Sequence, residues 1–140
     1  MSNPLQRFPI TADEITRVMT KFYARIRVHP ELGPVFNGIL GHDRATWDTH
    51  EDKIAGFWRN ALLREQSYSG NPMQVHLATP QILDAHFPLW LDLFDEVLTI
   101  ELPAETAAAW SALAHRIARG FRMRMSEDRA PKGAPPLLSF

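Results

Sequence analysis

Six histidines and no cysteine define what this 140-residue chain can offer a metal. The lack of thiols removes disulfides, thiolate nucleophiles, zinc-thiolate sites and iron–sulfur clusters together. Any metal must therefore use His, carboxylate, Met or a prosthetic group. His76 is the most informative of the six. It follows the Gly/Pro-broken run Tyr68-Ser69-Gly70-Asn71-Pro72-Met73-Gln74-Val75 and lies between two long helical patterns that carry Tyr23, His50 and Trp90. Gly70 lets the chain bend and Pro72 stiffens the turn that follows. An imidazole so held can be presented to one face of a flat, metal-bearing cofactor. The plainer reading, that His76, Tyr23, His50 and Trp90 are ordinary core residues, stands beside it. The other histidines read as structural: His29 beside Pro30 and His42 in a Gly-flanked loop suit solvent or capping roles, and His86 and His115 sit on helix flanks.

Generic signatures are missing. The chain has no phosphate-cradling GxxxxGK[ST], no GxGxxG, no HExxH and no Gly-x-Ser-x-Gly, and no Glu-x-x-His pair of the di-iron bundle type. With 15 basic and 16 acidic residues the formal charge is −1, so no net field draws the chain to nucleic acid or an acidic membrane. Arg116, Arg119, Arg122 and Arg124 form a local basic flank read as solvated. No stretch has the apolar length of a membrane span and no cationic-then-apolar leader is present, so the expectation is a cytoplasmic protein with neither nucleic-acid nor membrane partners.

The elements that must position these residues read as helices throughout. Thr11-Ala12-Asp13-Glu14 is a capping box opening a helix whose buried face is Ile15, Val18, Met19, Phe22 and Ile26, with Tyr23 at its edge and an end before Pro30. Leu32 to Gly41 reads as a packed turn or short helix. Trp47 to about Arg64 carries the stripe Trp47, His50, Ile54, Phe57, Trp58, Ala61 and Leu62. After two turns near Pro72 to Leu77, Thr79-Pro80 reads as the cap and first position of a helix with Leu83, Phe87 or His86, Trp90, Leu93 or Phe94, and Val97 inside. A last helix runs from Pro103 or Ala104 to about Met125, antiparallel to its predecessor across Glu101-Leu102-Pro103. With 45% apolar residues, including eight Phe, four Trp and two Tyr, the chain can build a core without staples. The expected organisation is an all-α domain over 1–127 and a flexible Pro-rich tail over 128–140, the composition changing from Ser126 onward.

A longer pattern carries a family resemblance: Phe22-Tyr23; Leu32-Gly33-Pro34-Val35-Phe36-Asn37; Trp47, His50, Lys53-Ile54 and Phe57-Trp58; Tyr68-x-Gly70-x-Pro72 followed by His76-Leu77; and Phe87-x-x-Trp90-Leu91-x-Leu93-Phe94. Over roughly residues 10 to 125 the chain resembles a truncated haemoglobin of the third group, and it shares that group's lack of the paired glycine motifs of the first two. The resemblance implies a truncated globin fold, a helical sandwich around haem b, with His76 as proximal ligand of the iron. It implies a distal set of Tyr23, His50 and Trp90, and cofactor contacts from Phe22, Phe36, Lys53, Ile54, Phe57 and Tyr68, with Lys53 toward a propionate. Oxygen, nitric oxide and carbon monoxide are the implied ligands, and a reductase the implied partner if nitric oxide is oxidised to nitrate. A monomer or weak homodimer is expected. A peroxidase-like haem enzyme and a haem-free helical interaction module are the alternatives.

Overall fold

A computed structural model describes residues 7–64 and 70–129. Over these the chain forms helices α1 (Ala12–Val28), α2 (Leu32–Leu40), α3 (Arg44–Leu63), α4 (Pro72–Leu77), α5 (His86–Glu101) and α6 (Ala104–Asp128), with no strand among the described residues. The all-α expectation is met.

Local chemistry explains most of the boundaries. Thr11 accepts the Glu14 N–H at 3.1 Å while the Glu14 carboxylate accepts the Thr11 N–H at 2.9 Å, closing the capping box that starts α1. His29 precedes Pro30 and is extended, which ends that helix. Its Nδ1 then accepts the N–H groups of Glu31 and Leu32 at 3.1 and 3.0 Å, so the same imidazole caps α2. Pro34 sits in the first turn of α2, where no N–H is needed. Gly33 lets α2 fold back on α1: a Cβ there would lie 2.9 Å from the Arg27 carbonyl oxygen. Asp43 caps α3 through the Thr46 N–H at 3.2 Å, so that helix begins at Arg44 rather than at Trp47.

Helix α1 packs against α2, α3 and α5; α5 pairs with α6, and α4 lies on α6. Ile15, Val18, Met19, Phe22 and Ile26 are buried on the predicted face of α1 and meet Trp47, Leu62, Phe94, Val97, Leu98 and Trp110 in one core. Tyr23 is buried with them rather than at the edge. Between α5 and α6, Asp95 accepts from Ser111 Oγ at 2.6 Å and lies 2.8 Å from His115 Nε2, which gives His115 the structural role expected of it.

Besides the start of α3, two boundaries differ from the sequence reading. Thr79-Pro80 does not open a helix. Residues 78–85 form successive turns, Thr79 spends its hydroxyl on the Val75 carbonyl at 2.6 Å instead of capping, and Leu83 is 53% exposed rather than inside. Helix α5 starts at His86, whose Nδ1 accepts the Leu83 N–H at 2.9 Å. At the other end, α6 continues three residues past Met125 to Asp128. The Pro-rich stretch from 130 onward and Tyr68 lie outside the described residues.

Candidate functional site

Two aromatic clusters each enclose one histidine. The first is built by the facing sides of α1, α2 and α3. The imidazole of His50 stands edge-on to the Tyr23 ring with centroids 5.0 Å apart, and Phe36 and Trp47 complete the box at 6.4 and 6.2 Å from His50. Trp47 is fixed by donating its indole N–H to the Gly41 carbonyl at 2.8 Å. Phe22, next to Tyr23 on the chain, touches both Tyr23 (5.2 Å) and Trp90 (4.9 Å), and Trp90 stacks on Phe94 at 5.0 Å. Tyr23 and His50 are thus in direct ring contact, while Trp90 reaches them through Phe22.

One polar atom of this cluster is left without a protein partner. His50 Nε2 is buried and has no hydrogen-bond partner among the described residues. Burial, aided by the Lys53 ammonium one turn on, lowers the His50 pKa from 6.5 to about 4, so the ring is neutral at physiological pH. Burial, reinforced by the half-buried Glu51 carboxylate, raises the Tyr23 pKa well above the usual phenol value, so its hydroxyl stays a donor. An unpaired buried imidazole nitrogen costs free energy. Trp110 Nε1, in the core, is the other buried side-chain atom without a partner among the described residues.

The second cluster holds His76. Helix α4 is only six residues long, and within it the His76 ring meets Phe121 of α6 at 4.8 Å and Phe87 of α5 at 6.0 Å. His76 Nδ1 lies 2.7 Å from the Pro72 carbonyl oxygen, four residues earlier. A carbonyl can only accept, so Nδ1 carries the proton and the Nε2 lone pair is left bare. Burial lowers the His76 pKa, against the Pro72 hydrogen bond and with help from the Arg129 charge, which keeps the ring neutral. A neutral imidazole whose far nitrogen is tied to a backbone carbonyl is the usual state of a metal-ligating histidine. No group of three or more His, Asp or Glu side chains is placed to hold a metal ion among the described residues. A metal on His76 would have to bring its remaining ligands with it, as in a planar macrocycle.

No family model matches the sequence. The chain is 38% identical over 91 residues to the group 3 truncated hemoglobin ctb of Campylobacter jejuni, an alignment covering 65% of this chain and 72% of that one. The crystal structure of a group III truncated hemoglobin from Campylobacter jejuni superposes with a TM-score of 0.80 at 33% identity, covering 89% of this chain and 95% of the other. The chain belongs to the group III truncated haemoglobin family.

Within this truncated globin, the residues singled out from sequence fall as follows. Tyr23, His50, Phe22, Phe36 and Trp90 join one network of rings. Ile54 and Phe57 are half-buried against the core on the same helix as His50. Lys53 is exposed, one turn from His50. His76 belongs to the separate cluster with Phe87 and Phe121. The sequence reading puts Phe87 or His86 on a buried helix face and does not foresee the contact of either phenylalanine with His76. Phe87 lies three residues before Trp90 on α5, a spacing that places both on one side of the helix; Phe121, far along the chain, has no comparable local signal. The Pro72 carbonyl was legible in principle, since a helical residue at i+4 lies over it.

Proposed function

We propose that this protein binds haem b through His76 and holds oxygen, nitric oxide or carbon monoxide beside Tyr23, His50 and Trp90. The observation that carries the reading is the 2.7 Å contact between His76 Nδ1 and the Pro72 carbonyl, which leaves Nε2 free to ligate. The orphaned His50 Nε2 in the other cluster fits as well, since a polar group arriving there would relieve it. Haem, when bound, supplies an iron that takes up a diatomic ligand and exchanges electrons with it.

The chain's own residues have separable tasks. Pro72 fixes the His76 tautomer, and Phe87 and Phe121 confine the ring. Phe22, Phe36, Ile54, Phe57 and Tyr68 are the proposed apolar contacts of the cofactor, and Lys53, exposed, offers its ammonium to a propionate. Burial keeps the Tyr23 hydroxyl protonated, so it and the Trp90 indole N–H can donate to a ligand that gains negative charge. A donor of this kind contributes about 1–3 kcal/mol, or roughly one to two decades in release rate. Tight retention suits conversion of the held ligand more than transport. Oxidation of nitric oxide by oxygen to nitrate, with one electron from a separate reductase in the cytoplasm, is the reaction we assign. The peroxidase-like alternative loses support because His76 Nδ1 meets a carbonyl; a carboxylate partner would have made the imidazole a stronger electron donor.

Absorption spectra of the purified protein in ferric, dithionite-reduced and reduced-plus-carbon-monoxide states test the reading, with His76→Ala beside the wild type. Haem bands that shift with carbon monoxide in the wild type, and loss of haem retention in the variant, are expected. A featureless visible spectrum after haem supplementation refutes cofactor binding; unchanged haem content in the variant refutes the role of His76.

A further inference from the structure

We propose that Arg129, assisted by Arg122, is a positioning residue for His76, latching the segment that carries it to the last helix; this rests on the proximal role assigned to His76. Helix α4 is six residues long, too short to persist by itself. The chain that follows it, residues 78–85, is a series of turns with no helical ladder to hold it. Single turn hydrogen bonds, such as Thr79 N–H to the His76 carbonyl at 3.2 Å and Ile82 N–H to the Thr79 carbonyl at 3.1 Å, link it locally, and its carbonyls are taken up from the end of α6 as well. The Arg129 guanidinium donates to the Ile82 carbonyl at 2.5 Å and to the Thr79 carbonyl at 3.0 Å, and reaches the carbonyl of His76 itself at 3.4 Å. Arg129 is in turn tied to α6 by its own N–H, bonded to the Met125 carbonyl at 3.0 Å.

Arg122 lies seven residues earlier, on the same side of α6. Its Nε and Nη2 grip the two carboxylate oxygens of Asp84 at 2.8 and 2.9 Å, a two-pronged pairing that lowers the Asp84 pKa. Phe121 of the same helix sits against the His76 ring. One helix and the residue that caps its C-terminus therefore supply a ring against the imidazole and two guanidinium anchors on the turns that follow. The two anchors grip both ends of a stretch that runs from His76 to Asp84.

Arg129 is exposed and Arg122, half-buried, pairs with an exposed Asp84, so neither contact contributes much to global stability. Their effect is local: they set how often the His76–Asp84 stretch opens and how the imidazole is oriented when it is closed. The fork matters as much as the charge. A lysine places all its donors on one nitrogen and cannot span carbonyls six residues apart in the way a guanidinium does.

The test uses Arg129→Ala, Arg129→Lys and, as a control for lost charge, Arg124→Ala, which removes an exposed arginine of the same helix. Hydrogen exchange of the amides from 77 to 85 is followed in the full-length protein without haem. In the haem-loaded ferrous protein the iron–histidine stretching band is recorded. The expected result for Arg129→Ala is exchange in that segment faster by about tenfold, with the rest of the fold unchanged, and a shifted or broadened band. Arg129→Lys restores neither in full, and Arg124→Ala matches the wild type. Exchange and band both unchanged in Arg129→Ala, with haem bound, overturn the latch alone. Failure of the wild-type protein to take up haem overturns the proximal reading and this inference with it, and the spectrum separates the two cases.

Discussion

Replacing His50 by Gln removes a titrating group from the ring cluster of α1, α2 and α3 and should flatten the acid limb of the stability profile. In the folded haem-free protein the His50 pKa lies at about 4, against 6.5 in an unconstrained chain. Between those values the unfolded state binds a proton that the folded state refuses, so stability rises with pH across the window and is lost as the solution is acidified from about 6.5 toward 4. At about pH 4.5 the two values imply a loss of about 2.5 kcal/mol relative to neutral pH, or about 2 kcal/mol after allowing for the part of the ring that water reaches. The assay is urea unfolding of wild type and His50→Gln at a series of pH values. Comparing the two curves cancels the contribution of His76, whose pKa is also lowered by burial. The variant should lose about 2 kcal/mol less than the wild type over that interval. Parallel profiles would show that His50 protonates as easily folded as unfolded, and the burial argument for its neutrality would fail.

Tyr23→Phe should leave haem bound and speed oxygen release by roughly tenfold to a hundredfold, measured by stopped flow; an unchanged rate removes Tyr23 from the ligand network. Gly33→Ala should destabilise the fold by about 1–3 kcal/mol in urea unfolding, because the new Cβ meets the Arg27 backbone oxygen at 2.9 Å and neither helix can yield cheaply. Thr11→Ala should cost about 1 kcal/mol, from loss of the capping box at α1, and Thr11→Ser should recover most of it.

The elements that were legible from sequence are those whose signals are local. The capping box of Thr11 and Glu14, the stop at Pro30 and the apolar stripes of α1 and α3 depend on neighbours within a turn or two. The start of α5 differs from its local signal for a physical reason. Thr79-Pro80 has the chemistry of a helix opening, but Thr79 turns its hydroxyl back to Val75 and the following carbonyls are drawn to Arg129. That competition comes from a residue 50 positions away and leaves no trace in the local pattern. The start of α3, by contrast, has a local signal in Asp43, whose carboxylate caps the helix one turn before the first aromatic residue, Trp47. For the candidate site, the family pattern points to Tyr23, His50, Trp90 and His76. The assignment of Nδ1 to Pro72, the orphaned nitrogen of His50 and the packing of Phe121 on His76 all needed three dimensions.

Helix α5 reaches into both aromatic clusters, through Phe87 beside His76 and through Trp90 and Phe94 beside Phe22. Neither side of the site can be tuned alone by changes that move this helix. A rotation or slide that suits the Phe87 contact also displaces Trp90, so substitutions along α5 should prove strongly epistatic, their effects on one cluster depending on what occupies the other. Independent adjustment has to come from α1, α2, α3 or α6, each of which contributes rings to the His50 cluster or to the His76 cluster but not to both.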